Sequence, residues 1–204
     1  DPLVRGLRNL WAKGVTVVVA AGNDGARSIS SPAADPVLLA VGATDDQKTA
    51  DRSDDVMADF SSYARSFGVM RPDVVAPGTS LVSLRAPGSL ADSENPQAVV
   101  ADKYFKGTGT SMSAAVTSGA VAALLAERDV APNDVKRLLM GTAFSSKALD
   151  DKDGAGEGQV DLSEAVVTDV DDTDKLRYVS DKQDFGPAEE DAATWAAFSA
   201  AWDA

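Results

Sequence analysis

The 204-residue chain carries 32 acidic against 19 basic residues, a formal charge of −13. That excess argues against nucleic acid and anionic membrane as partners, since both are polyanions. Hydrophobic residues make up 44% of the chain, enough for a sizeable core, and no apolar run reaches the ~20 residues of a membrane span. It has no cysteine, hence no disulfide and no thiolate metal site, and no histidine, hence no imidazole base of its own. The length suits one domain, or a domain with a tail. No signal peptide opens the chain, and Asp1-Pro2-Leu3 reads as the interior of a longer one.

In chain order, Leu3–Lys13 is expected to be an amphipathic helix with Leu3, Leu7, Leu10 and Trp11 on one face, ended by Gly14. Val15–Ala21 is a β-branched run typical of a buried parallel strand. Gly22-Asn23-Asp24-Gly25 turns at its C-terminal end, where open α/β sheets place their sites. A second buried strand is expected over Val37–Val41, a solvated loop over Asp45–Asp55, and a third strand in Asp73–Pro77. Ser80–Ser83 continues as extended chain, and Pro87–Pro96 reads as a surface loop.

Gly107-Thr-Gly-Thr-Ser111 then opens a helix expected to run from Ser111 to about Arg128. It is small and apolar all round, which predicts packing on every side. Ser111 falls at its N-terminus, where unpaired N–H groups and the macrodipole favour a developing negative charge. An ordinary N-cap is one reading of this serine; a nucleophile served by a base is the other. The glycine-rich loop lacks the third glycine of a dinucleotide fingerprint and the Gly-Lys-Ser/Thr of a P-loop. Pro132–Met140 is a further helix, with Val135, Leu138 and Leu139 inward. Asp150–Gly158 suggests a calcium loop but fails the EF-hand pattern, because Leu162 stands where a bidentate Glu is needed. From Thr168 onward the chain is acidic, with Trp195, Phe198 and Trp202 recurring at helical spacing.

Gly109-Thr110-Ser111-Met112-Ser113 followed by Gly119 resembles the nucleophile motif of the subtilisin-like serine peptidases. Three further segments are similar to the same family in the right order: Val17–Asp24, Pro72–Gly78 and Gly156–Ala165. Phe60-Ser-Ser-Tyr63 also matches a family segment, whereas Ala115 departs from the family's usual proline. The resemblance covers about residues 1–167, leaving 168–204 as an acidic tail with a short aromatic helix. It implies a three-layer α/β subtilisin-like fold with a mostly parallel sheet, of which this chain is the C-terminal portion.

The resemblance also implies chemistry. Ser111 would be the nucleophile, and the Asn23 amide and the Ser111 N–H would hold the oxyanion. Taken alone, Asn23 is equally a turn residue. Ala20, Ala21 and Gly22 would form one wall of the main specificity pocket. The catalytic Asp and His would come from an N-terminal part of the same domain, which is therefore an expected partner beside a protein or peptide substrate. Some relatives bind a structural calcium or monovalent cation at places comparable to Ala33, Asp35, Leu38 and Asp73; solvated acids are the other reading of Asp35 and Asp73. No cofactor is required for the chemistry. A secreted or cell-surface location is expected, with the signal peptide upstream. Two other functions stay open, a catalytically dead scaffold of the same fold and a small-molecule module using the Gly107–Ser111 loop.

Overall fold

The computed structural model describes residues 1–150 and 154–170. Helix α1 (Pro2–Ala12) leads into strand β1 (Val18–Ala20), β2 (Leu39–Asp45), β3 (Val56–Met57), β4 (Ala64–Ser66), β5 (Val69–Arg71) and β6 (Val74–Pro77). Strand β7 (Leu81–Leu84), α2 (Leu90–Glu94), β8 (Val99–Val100) and β9 (Tyr104–Gly107) follow. The chain then runs into α3 (Thr110–Glu127), α4 (Pro132–Gly141), α5 (Lys147–Asp150) and α6 (Leu162–Val167).

Strand β2 is the axis of the main sheet. It is buried from Leu39 to Thr44, as a strand covered on both faces must be. β1 and β6 flank it in parallel, Val18 facing Leu39 and Val41 facing Val74, and β3 adds a short antiparallel pairing at its end. The far side of β6 is met by Gln159 in an isolated parallel bridge to Val75. α3 lies across β1, β2 and β6, so the loops at the C-terminal ends of these strands gather around its first turn. Val121 and Leu124 of α3, Val135, Leu138 and Leu139 of α4, and Trp11 of α1 close the core with Leu38–Val41. The Trp11 indole N–H donates to the Asn133 side chain at 2.8 Å, tying α1 to the start of α4.

Several expectations are corrected. The apolar stripe of α1 is only half used: Trp11 is buried, but Leu3 is 57% and Leu10 41% exposed. β1 is shorter than the Val15–Ala21 run, and β2 begins two residues later than Val37 and continues to Asp45. The Pro87–Pro96 loop contains α2, capped by Ser89, whose Asp92 pairs with Arg85 at 2.6 Å. The hairpin β4–β5 was not expected. Its turn places Phe67 and Gly68 at positive φ, 48° and 85°, the backbone of a tight two-residue hairpin.

The largest correction concerns α3. Thr110, Ser113, Thr117, Val121 and Leu124 are buried, but Ala115, Val116, Ser118, Gly119, Ala122, Ala123, Leu125 and Ala126 are exposed. Among the described residues nothing covers that flank, so a helix without a polar face still shows one side to solvent. The candidate calcium loop falls partly outside the described residues; Gly154–Gly158 instead form the turn that carries the chain to Gln159. The boundary at 167–168 falls near the end of the described span. The Trp195, Phe198 and Trp202 stripe lies outside the described residues.

Candidate active site

The first turn of α3 is set by Gly109, the N-cap residue, with φ 148° and ψ 160°. A side chain would be strained at this φ, and a Cβ built there would lie 3.4 Å from the Asn23 amide nitrogen. Gly78 passes closer still beneath the helix, since a Cβ on it would overlap the Ser113 hydroxyl and the Ala43 methyl. Gly109 N–H donates to Gly78 O at 2.9 Å, and Ser80 N–H to Thr108 Oγ1 at 2.9 Å, which pins the approach loop.

Because Gly109 holds the cap position, Ser111 does not. It is the second helical residue and it is exposed, so its hydroxyl is open to solvent. The plain-cap reading of Ser111 is thereby corrected. The Ser111 N–H has no backbone partner among the described residues, as expected for a group in the first turn of a helix.

Asn23 comes from the other direction, on the turn after β1. Its Oδ1 accepts from the Thr110 N–H at 2.9 Å and the Thr110 hydroxyl at 3.0 Å. The Thr110 Oγ1 in turn accepts from Gly22 N–H at 3.1 Å. Only the oxygen of a side-chain amide can accept, so two converging donors fix which way the amide faces. The Asn23 Nδ2 is left with no hydrogen-bond partner among the described residues. The turn itself is tied down by Asp24 N–H to Ser62 Oγ at 2.9 Å and Ser62 N–H to Gly22 O at 3.0 Å. The turn around Asn23 is thus held by its neighbours, and the Asn23 side chain by Thr110. Thr110, buried at 1% exposed, is the site residue that sequence reasoning missed. Of the expected pocket wall, Ala20 and Gly22 are half-buried, whereas Ala21 is 1% exposed and presents no side chain outward.

The Subtilase family matches residues 4–184 of the chain. The chain belongs to the subtilase family. It is 41% identical over 143 residues to the serine protease AprX of Bacillus subtilis (strain 168), covering 68% of this chain and 32% of that one. It is 33% identical over 156 residues to halolysin of Haloferax mediterranei, covering 76% of this chain and 25% of that one. Fervidolysin from Fervidobacterium pennivorans, a keratinolytic enzyme related to subtilisin, superposes with a TM-score of 0.61 at 29% identity, over 81% of this chain and 24% of that one. The chain thus spans a quarter to a third of the length of these relatives. Its fold is the α/β fold of subtilisin-like proteins, present as part of a domain.

In this subtilase chain the four positions expected to hold a cation do converge, with charges of the chain's own between them. Arg71, 1% exposed, donates from Nε to Ala33 O at 3.0 Å and from Nη2 to Leu38 O at 2.8 Å, and its Nη1 pairs with Asp73. Lys136 Nζ, from α4, donates to Pro36 O at 2.8 Å and Leu38 O at 3.0 Å, and lies 3.1 Å from Asp73. Asp73 accepts on its other oxygen from Ala40 N–H at 2.8 Å. Asp35 pairs with Arg8 at 2.6 Å and accepts from Val37 N–H at 3.0 Å. Burial pushes the Lys136 ammonium down to about 8 against the pull of Asp73, and it lowers Arg71 as well. The solvated-acid reading of Asp35 and Asp73 is corrected, since both are buried at 5% exposed. The oxygens of the expected metal set, Ala33, Asp35, Leu38 and Asp73, face guanidinium and ammonium groups of the chain itself. Among the described residues no cluster of three or more acidic side chains is placed to hold a metal ion. No helix among them is long and apolar enough to cross a membrane.

Proposed function

We propose that this chain supplies the nucleophile and the oxyanion site of a serine endopeptidase. Ser111 Oγ attacks the carbonyl carbon of a peptide bond, and the developing oxyanion takes hydrogen bonds from Asn23 Nδ2 and the Ser111 N–H. The proton of Ser111 passes to an imidazole. The peptide C–N bond then breaks, the amine leaving with the proton that the imidazole took from Ser111, and the acyl-enzyme left on Ser111 is hydrolysed by water. The chain contains no histidine, so that base and its orienting Asp belong to an N-terminal part of the same domain. Protein or peptide chains are the substrates, running past Ala20 and Gly22, and the activity lies outside the cell or at its surface.

The observation that carries the reading is the pair of open donors beside an exposed hydroxyl. Polar groups that a fold buries find partners inside it, whereas Ser111 and Asn23 are exposed, where a substrate can reach them. Here Thr110 holds the Asn23 oxygen so that Nδ2 stays free at the mouth of a helix N-terminus. Such preorganised donors cost no reorganisation when charge develops.

The test is made on the complete peptidase that carries this chain, with a fluorophosphonate probe and a peptide substrate. Ser111→Ala is expected to abolish labelling and to lower turnover by ~10⁴–10⁶. Labelling that survives this substitution at the wild-type rate would place the nucleophile elsewhere.

A further inference from the structure

We propose that Lys136 and Arg71 stand permanently in the place of a metal ion, so that the 33–38 loop and the Asp73 segment are held together by side-chain cations and need no cation from solution. A hard cation at such a place would need a shell of six or more oxygens. The oxygens that could form it are Ala33 O, Pro36 O, Leu38 O and the Asp73 and Asp35 carboxylates. Every one of them already accepts a hydrogen bond from Arg71, Lys136, Arg8 or a backbone N–H.

The charges also leave no role for a metal ion. Two buried carboxylates, Asp35 and Asp73, face three cationic side chains, Arg8, Arg71 and Lys136. Glu157, which lines the same cavity and has its carboxyl raised by burial and by the Asp73 charge, brings the carboxylates to three against three cations, so a divalent ion would find no unbalanced negative charge there. The arrangement has a mechanical consequence. The ammonium arrives on α4, about one hundred residues along the chain from the carbonyls it binds, and so clamps that helix to the loop. A bound ion would join the loop to Asp73 alone. The buried carbonyls of Pro36, Val37 and Leu38 have the Lys136 ammonium as a shared donor, so removing it leaves the oxygen-lined niche that a metal ion favours.

The experiment compares melting temperatures of the wild-type peptidase, Lys136→Ala and Lys136→Met, each dialysed against chelator and titrated with sodium and then calcium chloride against choline chloride as ionic control. Both variants are expected to melt ~6–15 °C below wild type in the absence of added cation. Lys136→Ala leaves the niche open and should recover at least half of its loss as sodium or calcium is added, beyond any shift in wild type. Lys136→Met fills the niche with an uncharged chain and should recover none of it. Calorimetric titration should detect one more cation site in Lys136→Ala than in wild type. Equal cation responses in the three proteins would overturn the proposal. So would wild type losing stability to chelator while Lys136→Ala does not. Failure of Lys136→Ala to fold even with added cation would also count against it, because the ammonium and the ion would then not be interchangeable.

Discussion

The corner at Ser111 and the cluster around Asp73 are made of the same materials, backbone amides and carbonyls with a few short polar side chains, and they treat hydrogen bonding in opposite ways. Around Asp73 each buried oxygen has at least one donor, and all but the backbone N–H groups among those donors carry full charge. At the start of α3 the Ser111 N–H has no backbone partner among the described residues, and Asn23 and Ser111 are both open to solvent. The first arrangement spends its polar groups on holding the chain together; the second reserves them for something that arrives. A buried polar group without a partner costs stability, so reserved groups belong at a surface, and Ser111 is exposed.

Substitutions should separate the two regions by what they damage. Asp73→Ala leaves Arg71 and Lys136 buried beside one another without their hydrogen-bonded counter-charge, only the more distant Asp35 carboxylate remaining. Stability should fall by ~3–5 kcal/mol in urea melts, the usual cost of removing one partner of a buried pair. The turnover of whatever fraction stays folded should be unchanged. Loss of specific activity in that folded fraction would mean that the two regions are coupled.

Asn23→Leu should do the reverse. It removes a donor needed when charge develops, so kcat should drop by ~10²–10³ with KM little altered, a magnitude taken from subtilisin and not calculated for this chain. The melting temperature should fall only by a few degrees, since Thr110 loses the Asn23 oxygen but the turn keeps its bonds to Ser62 and Phe60. A raised KM at unchanged kcat would remove Asn23 from the oxyanion site.

Thr110→Val sharpens the contrast with the smallest effect. The backbone N–H of residue 110 still holds the Asn23 oxygen, but the hydroxyl link to Asn23 and Gly22 is lost. One net hydrogen bond corresponds to ~3–10-fold in kcat. Thr110→Ser should restore the rate, which distinguishes positioning of the amide from packing of the methyl group. If Thr110→Ser is as slow as Thr110→Val, the hydroxyl has no part in the rate.

What was legible in the sequence tracks how local each feature is. Ser111 and Asn23 sit in contiguous segments, Gly109–Ser113 and Val17–Asp24, and each segment carries its own turn and helix start. The three parallel strands were legible as apolar runs, although their ends moved by up to four residues where the pairing register decides them. Thr110 was hidden because its partners come from the turn after β1, 87 and 88 residues away. Lys136 was hidden twice over. It lies between the inward-facing Val135 and Leu138, where a lysine reads as a solvated neighbour, and its acceptors are 98 to 100 residues distant. The open flank of α3 could not be read at all, because a run of alanines looks the same whether covered or bare.

That flank has a consequence for which residues the chain is free to change. Gly119 has nothing within 4 Å of the point where a Cβ would stand, so no contact of the described chain asks for glycine there. In mid-helix it is ~1 kcal/mol worse than alanine. Together with Ala115, Ala122 and Ala126 it forms a strip on which nothing projects past a methyl group. Such a strip lets a second rod of backbone lie at the short end of helix-to-helix spacing, ~8 Å between axes. Substitutions along it are silent toward the packing beneath and audible only to whatever rests above, so its tolerance to change is set from outside the helix.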